Sequence, residues 1–266
     1  MSYEQILYEV SDRVLTITLN RPDRLNAMNQ TLKDELRECW RLVKNDPDVW
    51  VAIVTGAGKA FSTGADVEGL ATGGFTRADR WRELALIEGI VDLPTPRRQR
   101  VFKPVIAAVN GAVAGFSLDL VTEADIPIAS DRAYFVDPHV SLGLVSSHEM
   151  VNMARRVPVA VCLRMALLGK HERMSAQRAY EVGLVTEVVP HEQLMQRARE
   201  LAALICENAP LAVWGTKMGI VQGLGLTVAQ AEEIAAGYLE VNEQSDDFRE
   251  GPRAFMEKRK PAWKAR

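Results

Sequence analysis

The most informative stretches of this chain are AFSTGAD at residues 60–66 and NGAVAGF at residues 110–116. Each follows a continuous apolar run, VAIV at 51–54 and VIAAV at 105–109. Small residues let the backbone approach a ligand closely, so each stretch predicts a strand that ends in a ligand-facing turn. Two turns that each aim one backbone N–H at the same point would form an oxyanion hole.

The glycines of these turns, Gly64, Gly111 and Gly115, also have a simpler interpretation. Glycine is the usual residue of tight turns, and a lone glycine indicates nothing more. Two similar turns after two similar strands favour the functional interpretation.

The wider pattern of strands, turns and helices predicts an α/β fold. RVLTITLN at 13–20 alternates like a strand, residues 31–44 have helical spacing, and the apolar runs at 50–54 and 104–109 are typical of strands covered on both faces. We also expect short strands at 126–129 and 133–136, a helix over 76–91, a mobile loop over 92–100 and, from about residue 150, helices only, including 191–207 and 227–241.

The bulk composition excludes several classes of protein. With 266 residues, 47% hydrophobic and 25% charged, the chain is typical of an ordinary globular protein. A net charge of −3 lacks the basic excess of nucleic-acid-binding surfaces, so we expect no nucleic-acid partner. Three widely spaced cysteines show no metal spacing and are expected to be reduced. We expect a cytoplasmic protein without a signal peptide or membrane span, because the N-terminus lacks a basic region and polar residues interrupt the longest apolar stretch.

Five further motifs accompany the two turns in a fixed order: LNRPDRLNAM (19–28), KPVIAAVNG (103–111), AD (124–125), SAQRAYEVGLV (175–185) and DDFREGPRAFMEKRKP (246–261). With them the chain resembles the crotonase (enoyl-CoA hydratase/isomerase) superfamily over nearly its whole length. The resemblance implies a core of ββα turns wound as a right-handed spiral over residues 1–195. It also implies a C-terminal α-helical oligomerisation region over 196–266, which completes the neighbour's coenzyme A site in a homotrimer or a dimer of trimers.

The resemblance also implies the ligand and its contacts. The substrate would be an acyl-CoA thioester, with coenzyme A as part of the substrate and neither a tightly bound cofactor nor a metal. One oxyanion donor maps to the N–H of Ala65 and the second to the N–H of Phe116, where the dipole of a following helix adds positive potential. Coenzyme A contacts map to Leu25, Ala27, Thr63, Ala65, Gly115, Phe116, Phe255 and Lys258. Glu68 stands where relatives often place a phosphate-binding lysine. The basic run at 258–260 suits an anionic ligand or, equally, a solvated tail.

The acid/base pair departs from that of the family's hydratases, which use two glutamates. Asp119 stands three residues after the second oxyanion donor, and His139 replaces the glutamate of a QPE-like segment, here DPH at 137–139. Histidine titrates near neutral pH and serves as acid or base. We hypothesise that both residues face the α and β carbons of the thioester. His139 would be the main proton carrier, and Asp119 would orient it or hold a water.

Each of these polar residues has a structural alternative. Asp119 fits a first-turn carboxylate favoured by the helix dipole, and His139 fits a turn residue after a proline. His148, in SSHE at 146–149, either lines the acyl pocket or belongs to a helix start. The acyl pocket is expected to draw on 70–100 and 140–153, with Trp81, Leu84, Met150 and Met153 as candidates.

The favoured function is an acyl-CoA enzyme of the hydratase/isomerase type that acts through a stabilised enolate. A hydrolase, decarboxylase or carbon–carbon lyase of the same superfamily would use the same oxyanion hole and stays open. A non-catalytic acyl-CoA-binding scaffold is the alternative from another class. TGAG at 55–58 follows a strand but lacks the GxGxxG spacing of a nicotinamide site.

Overall fold

The structure of the protein is a computed structural model that describes residues 3–66 and 93–266. The helix expected over 76–91 lies outside the described residues, as do Glu68, Trp81 and Leu84.

Strands of the described residues form two sheets. The first has six strands in the order β1-β2-β3-β5-β7-β10 and the second has four in the order β4-β6-β8-β9. Their bounds are β1 Ile6–Ser11, β2 Val14–Leu19, β3 Val51–Gly56, β4 Ala60–Ser62, β5 Val105–Val109, β6 Ala112–Ala114, β7 Ile126–Ser130, β8 Tyr134–Val136, β9 Met174–Ser175 and β10 Glu187–Val189. Only β1–β2 and β8–β9 pair antiparallel among these strands.

Each repeat of the chain contributes one strand to the first sheet and the next strand to the second sheet. β3, β5 and β7 lie side by side in the first sheet, and β4, β6 and β8, which follow them directly in the chain, lie side by side in the second. A parallel neighbour requires a crossover, and crossovers between parallel strands are almost always right-handed. The predicted α/β class and the ββα spiral are therefore confirmed.

Helices surround the sheets and fill the C-terminal third. The described residues contain α1 Gln30–Asn45, α2 Leu118–Thr122, α3 Glu149–Met153, α4 Val159–Leu168, α5 Ala176–Glu181, α6 Leu194–Cys206, α7 Pro210–Gly223, α8 Val228–Glu243 and α9 Asp246–Met256. Across residues 3–66 and 93–266, no helix is both long and apolar enough to cross a membrane.

Two apolar clusters cover opposite faces of the first sheet. Ala52 and Val54 of β3 pack into the larger cluster, together with the buried face of α1, whereas Val51 and Ile53 pack into a second cluster under α6. Because successive strand residues point to opposite faces, a strand covered on both sides must be apolar throughout. This double burial explains the continuous apolar runs of β3 and β5.

The expectation that only helices follow residue 150 is wrong. β9 adds two residues to the second sheet and β10 adds three to the first. Strands this short carry no readable alternation, and they form because a sheet edge is available for pairing. Residues 93–100 form irregular turns, as expected of a loop. This loop is attached to α1, because the indole N–H of Trp40 donates to the carbonyl of Pro94 at 3.2 Å.

The C-terminal helices α7 and α8 form a tightly packed hairpin. Gly215, Gly219 and Gly223 recur every four residues on α7 and face Tyr238, Ala235 and Ala231 of α8. A Cβ at Gly219 would lie 3.1 Å from the Cβ of Ala235, so small residues allow this close approach. The predicted boundary after residue 195 falls inside α6, which packs on the first sheet through Ala198 and Ala202. That boundary stays a prediction.

One buried side chain ties the segment before α1 to the strands. Asn26 is left-handed, with φ 56°, and its amide donates to the carbonyls of Ala57 at 2.9 Å, Ala60 at 2.8 Å and Phe61 at 3.1 Å. Its Oδ1 accepts from the N–H of Arg21 at 2.9 Å. Asparagine suits this position because it tolerates the left-handed region and offers both donors and an acceptor.

We expect Asn26→Ala to lower the free energy of unfolding by about 3 kcal/mol, because it removes the amide that bonds three carbonyls and the N–H of Arg21, in a left-handed backbone. Urea unfolding followed by circular dichroism measures the change. The control is Asn45→Ala at the exposed end of α1, expected to stay within about 0.5 kcal/mol of the parent protein. Equal effects of the two substitutions would contradict this role of Asn26.

Candidate active site

The two informative turns touch each other. Gly64 has φ +83°, and a Cβ built on it would lie 2.4 Å from the carbonyl oxygen of Ala114 and 3.2 Å from the amide nitrogen of Phe116. No side chain fits in that space, so glycine is required for both its conformation and its size. Ala65 follows Gly64 directly. The structure thus brings the peptides of residues 65 and 116 together from separate loops.

Within residues 3–66 and 93–266, the N–H groups of Ala65 and Phe116 have no protein acceptor. The bridge between Met28 and Ala65 uses the N–H of Met28 to Gly64 at 2.8 Å and the N–H of Asp66 to Met28 at 3.2 Å, which leaves the N–H of Ala65 on the opposite side of the strand. Phe116 lies in the first turn of the helical segment that leads into α2, where N–H groups have no partner within the helix. Among the described residues, no oxygen accepts from either group.

His139 lies beside this pair of amides. It begins the 3-10 turn after β8, and its Cε1 is 3.3 Å, and its Nε2 3.9 Å, from the position of a Cβ on Gly115. Its Nδ1–H donates to the buried Asp137. This hydrogen bond raises the pKa of His139 although burial opposes it. Burial raises the pKa of Asp137, but the contacts with His139 outweigh it and leave that pKa below its ordinary value.

Asp119 has a different histidine as its partner. It is fully buried in α2, its Oδ1 accepts from the amide of Asn152 at 2.9 Å, and its Oδ2 accepts from Nδ1–H of His148. The ring of His148 packs edge-on against the ring of Phe116, with centroids 5.8 Å apart at 84°. Asp119 was expected to orient His139 or hold a water; in the structure the aspartate bonded to His139 is Asp137, and Asp119 bonds His148.

Glu149 lies between the two histidines. It is 3% exposed, its Oε1 is 3.5 Å from Nε2 of His139, and its Oε2 is 3.5 Å from Nδ1 of His148. Ser146 donates to Oε2 at 3.3 Å. Sequence reasoning missed the roles of Glu149 and Asp137. The available signal was a His-Glu pair in a segment where relatives often carry small residues.

Charge and burial oppose each other at His148. Burial lowers the pKa of His148, but the hydrogen bond and charge of Asp119, together with Glu149, outweigh it and raise that pKa above its ordinary value. Asp119, His148 and Glu149 each offer one side-chain atom of a kind that can bind a metal ion, and these three atoms lie within 4.8 Å of one another. The hydrogen bond between His148 and Asp119 accounts for this closeness, and we assign no metal ligand.

The other expected contacts fall in two places. Leu25, Ala27 and Thr63 lie near the first turn, where the N–H of Thr63 donates to the carbonyl of Leu25 at 3.1 Å. Phe255, 86% exposed, lies in α9 and Lys258 just after it, beyond the hairpin of α7 and α8. The candidates Met150 and Met153 are buried in the apolar core.

Comparison with known proteins identifies the family of this chain. The family model described as enoyl-CoA hydratase/isomerase matches residues 9–266. The chain is 34% identical to (E)-benzylidenesuccinyl-CoA hydratase of Thauera aromatica over 97% of this chain and 98% of that one. It is 36% identical to carnitinyl-CoA dehydratase of Proteus mirabilis over 95% of each chain.

A solved structure of an enoyl-CoA hydratase/isomerase from Mycobacterium paratuberculosis superposes with a TM-score of 0.89, 46% identity and complete coverage of both chains. Enoyl-CoA hydratase from Bacillus anthracis superposes with a TM-score of 0.88 at 29% identity, over 99% of this chain and 100% of that one. The chain therefore belongs to the enoyl-CoA hydratase/isomerase family of enzymes, the crotonase superfamily.

The contact between His139 and Asp137 makes stability depend on pH. The pKa of His139 is higher in the folded state than the value of about 6.5 in the unfolded chain. Protonated His139 therefore stabilises the fold fully at pH values below the unfolded pKa, and this stabilisation is lost as pH rises through the folded pKa. We expect His139→Gln to lower the free energy of unfolding most near pH 6 and progressively less above it, as measured by urea unfolding across pH.

In an Asp137→Asn background the same substitution should show a much flatter pH dependence, because the main cause of the raised pKa is gone. A difference between the parent protein and His139→Gln that stays constant from pH 5.5 to 9 would contradict the expected linkage.

Proposed function

We propose that this protein adds water to, or removes it from, an acyl-CoA thioester, with the N–H groups of Ala65 and Phe116 holding the thioester oxygen and His139 moving the proton. The observation that carries the proposal is the position of the His139 ring, whose Cε1 is 3.3 Å from where a Cβ on Gly115 would lie, one residue from the Phe116 amide. A thioester whose carbonyl oxygen is bound by the two amides would present its α carbon toward that ring. One such donor contributes about 3 kcal/mol to stabilising an oxyanion.

In the dehydration direction, neutral His139 takes the proton from the α carbon through Nε2. The electrons of the broken C–H bond form an enolate, and its negative oxygen accepts a hydrogen bond from each of the two amides. The enolate then expels the hydroxyl group from the β carbon, and His139 returns its proton to that group as water leaves. The hydration direction reverses these steps, with the hydroxyl added to the β carbon and the proton to the α carbon.

Asp137 supports this proton transfer from behind the ring. A buried carboxylate on Nδ1–H fixes the tautomer in which Nε2 carries no proton and can accept one, and it stabilises the imidazolium that forms. His148, which is bonded to Asp119, packs edge-on against the ring of Phe116. We propose that this pair holds the departing or attacking water, in place of the second glutamate of the family's hydratases.

Two relatives support a hydratase or dehydratase over other reactions of the superfamily. They are named for the hydration of (E)-benzylidenesuccinyl-CoA and the dehydration of carnitinyl-CoA, whose acyl groups carry more than a straight alkyl chain. Two histidine rings and Glu149 make the present site polar as well. We therefore propose an acyl group that bears polar substituents.

The coenzyme A part of the ligand is proposed to contact both ends of the chain. Leu25, Ala27 and Thr63 lie beside the Ala65 turn. Phe255 and Lys258 are proposed to reach the ligand of a neighbouring subunit in a trimer or a dimer of trimers, which fits the exposure of Phe255.

We expect His139→Gln to reduce turnover of the preferred acyl-CoA by about 100- to 10,000-fold, the usual contribution of a general acid or base. Acyl-CoA thioesters are screened by mass spectrometry for a gain or loss of one water, and the best substrate is used for kinetics. The control is His171→Gln, which changes an exposed histidine of the segment before β9. Undiminished turnover by His139→Gln would eliminate the proposed proton carrier.

We expect crotonyl-CoA, with its plain alkyl chain, to be hydrated about 100-fold more slowly than the preferred substrate, because both hydratase glutamates are replaced. The same screen distinguishes a gain of water from no mass change and from loss of carbon dioxide. Hydration of crotonyl-CoA as fast as any substituted substrate would contradict the proposed specificity.

Bound thioesters that exchange no α proton in deuterated water would favour the scaffold alternative.

A further inference from the structure

Glu149 occupies an unusual position for a carboxylate. It is almost completely buried, and both of its oxygens face imidazole nitrogens, His139 on one side and His148 on the other, at 3.5 Å each. Each histidine already has its own buried aspartate, Asp137 or Asp119. Glu149 is therefore a third carboxylate shared by two histidine–aspartate pairs.

Burying a carboxylate is costly unless nearby positive charge and hydrogen bonds offset the loss of hydration. Ser146 supplies one hydrogen bond at 3.3 Å. Each imidazole ring becomes positively charged when it takes up a second proton, and the nearby carboxylate of Glu149 favours that charged form of each ring.

We propose that Glu149 is a positioning residue shared by His139 and His148, which orients both rings and stabilises the positive charge that His139 acquires when it takes a proton. Its catalytic relevance rests on the function proposed above, whereas its link to the two rings is independent of any substrate. Through Glu149, the protonation of one histidine changes the pKa of the other.

Other charged groups face this cluster and bound the effect. Arg98 acts on His148 and opposes its protonation, and Lys33 lies 5.8 Å from the Phe116 ring centroid. Asp119 acts on both rings, and Cys162 lies nearby, with a pKa raised by burial and also by the charge of Asp137. Among the described residues none of these groups has a charged atom within 4 Å of a nitrogen in both rings, whereas Glu149 does, so its removal is expected to change the two histidines together.

The chain has only four histidines, which makes a direct measurement practical. The full-length protein is labelled with carbon-13 at histidine Cε1, and the four signals are assigned by single His→Gln variants and titrated from pH 5 to 9. We expect Glu149→Gln to shift the titrations of His139 and His148 to lower pH by about one unit each, the scale of an opposite charge within a few ångströms.

Unchanged signals of His171 and His191 show that the variant keeps its fold. Glu149→Asp, which retains the charge, should restore part of both shifts, and Glu9→Gln on the exposed face of β1 should leave all four titrations in place. The acid limb of kcat/KM in Glu149→Gln should move to lower pH along with the His139 titration. Titrations of His139 and His148 that stay where they were, or a shift of only one, would overturn the proposal.

Two further variants keep the test decisive if Glu149→Gln disturbs folding. Removing one ring by His139→Gln leaves Glu149 to His148 alone, so the His148 titration should move to higher pH, and His148→Gln should do the same for His139. Independence of the two rings in both variants would overturn the coupling. These titrations need no substrate, so full turnover by His139→Gln would refute the proposed reaction and leave the coupling intact.

Discussion

The close approach of Gly64 to the backbone of Ala114 and Phe116 is the contact on which the site depends. It brings the turn after β4 against the turn after β6, so that the peptides of residues 65 and 116 lie together. Ser117 strengthens this contact, because its hydroxyl donates to the carbonyl of Ser62 at 2.6 Å and accepts from the N–H of Ala114 at 3.1 Å. Parallel pairing of β4 with β6 fixes the register of both turns.

The spiral winding explains why such a contact arises at all. Each repeat places a strand in the first sheet and the next strand in the second, so equivalent turns of successive repeats become neighbours. β8 continues the same series, and the turn that follows it carries His139 to the site. The proposed backbone donors and the proposed proton carrier therefore come from adjacent turns of one regular architecture.

In the proposed site, histidine–carboxylate pairs stand where the sequence resemblance implies two single glutamates. A histidine backed by a buried carboxylate becomes a stronger base, and it is held in one orientation. Asp137, Asp119 and Glu149 place three carboxylates around two rings in a region with little access to water. The geometry can thus support proton transfer without the family's usual glutamates, at the cost of burying an additional charge.

Much of this could be predicted from the sequence, because the decisive signals are local. The apolar runs at β3 and β5, the small-residue turns after them and the order of the family motifs determined the α/β class, the winding and the candidate residues Ala65, Phe116, Asp119 and His139. Only the tertiary structure decided which groups meet. It paired Asp119 with His148, gave Asp137 to His139 and placed Glu149 between the rings, since α2, α3 and the turn after β8 approach one another only when the spiral closes. It also added β9 and β10, which exist because sheet edges offer free backbone groups and not because of any pattern in their own few residues.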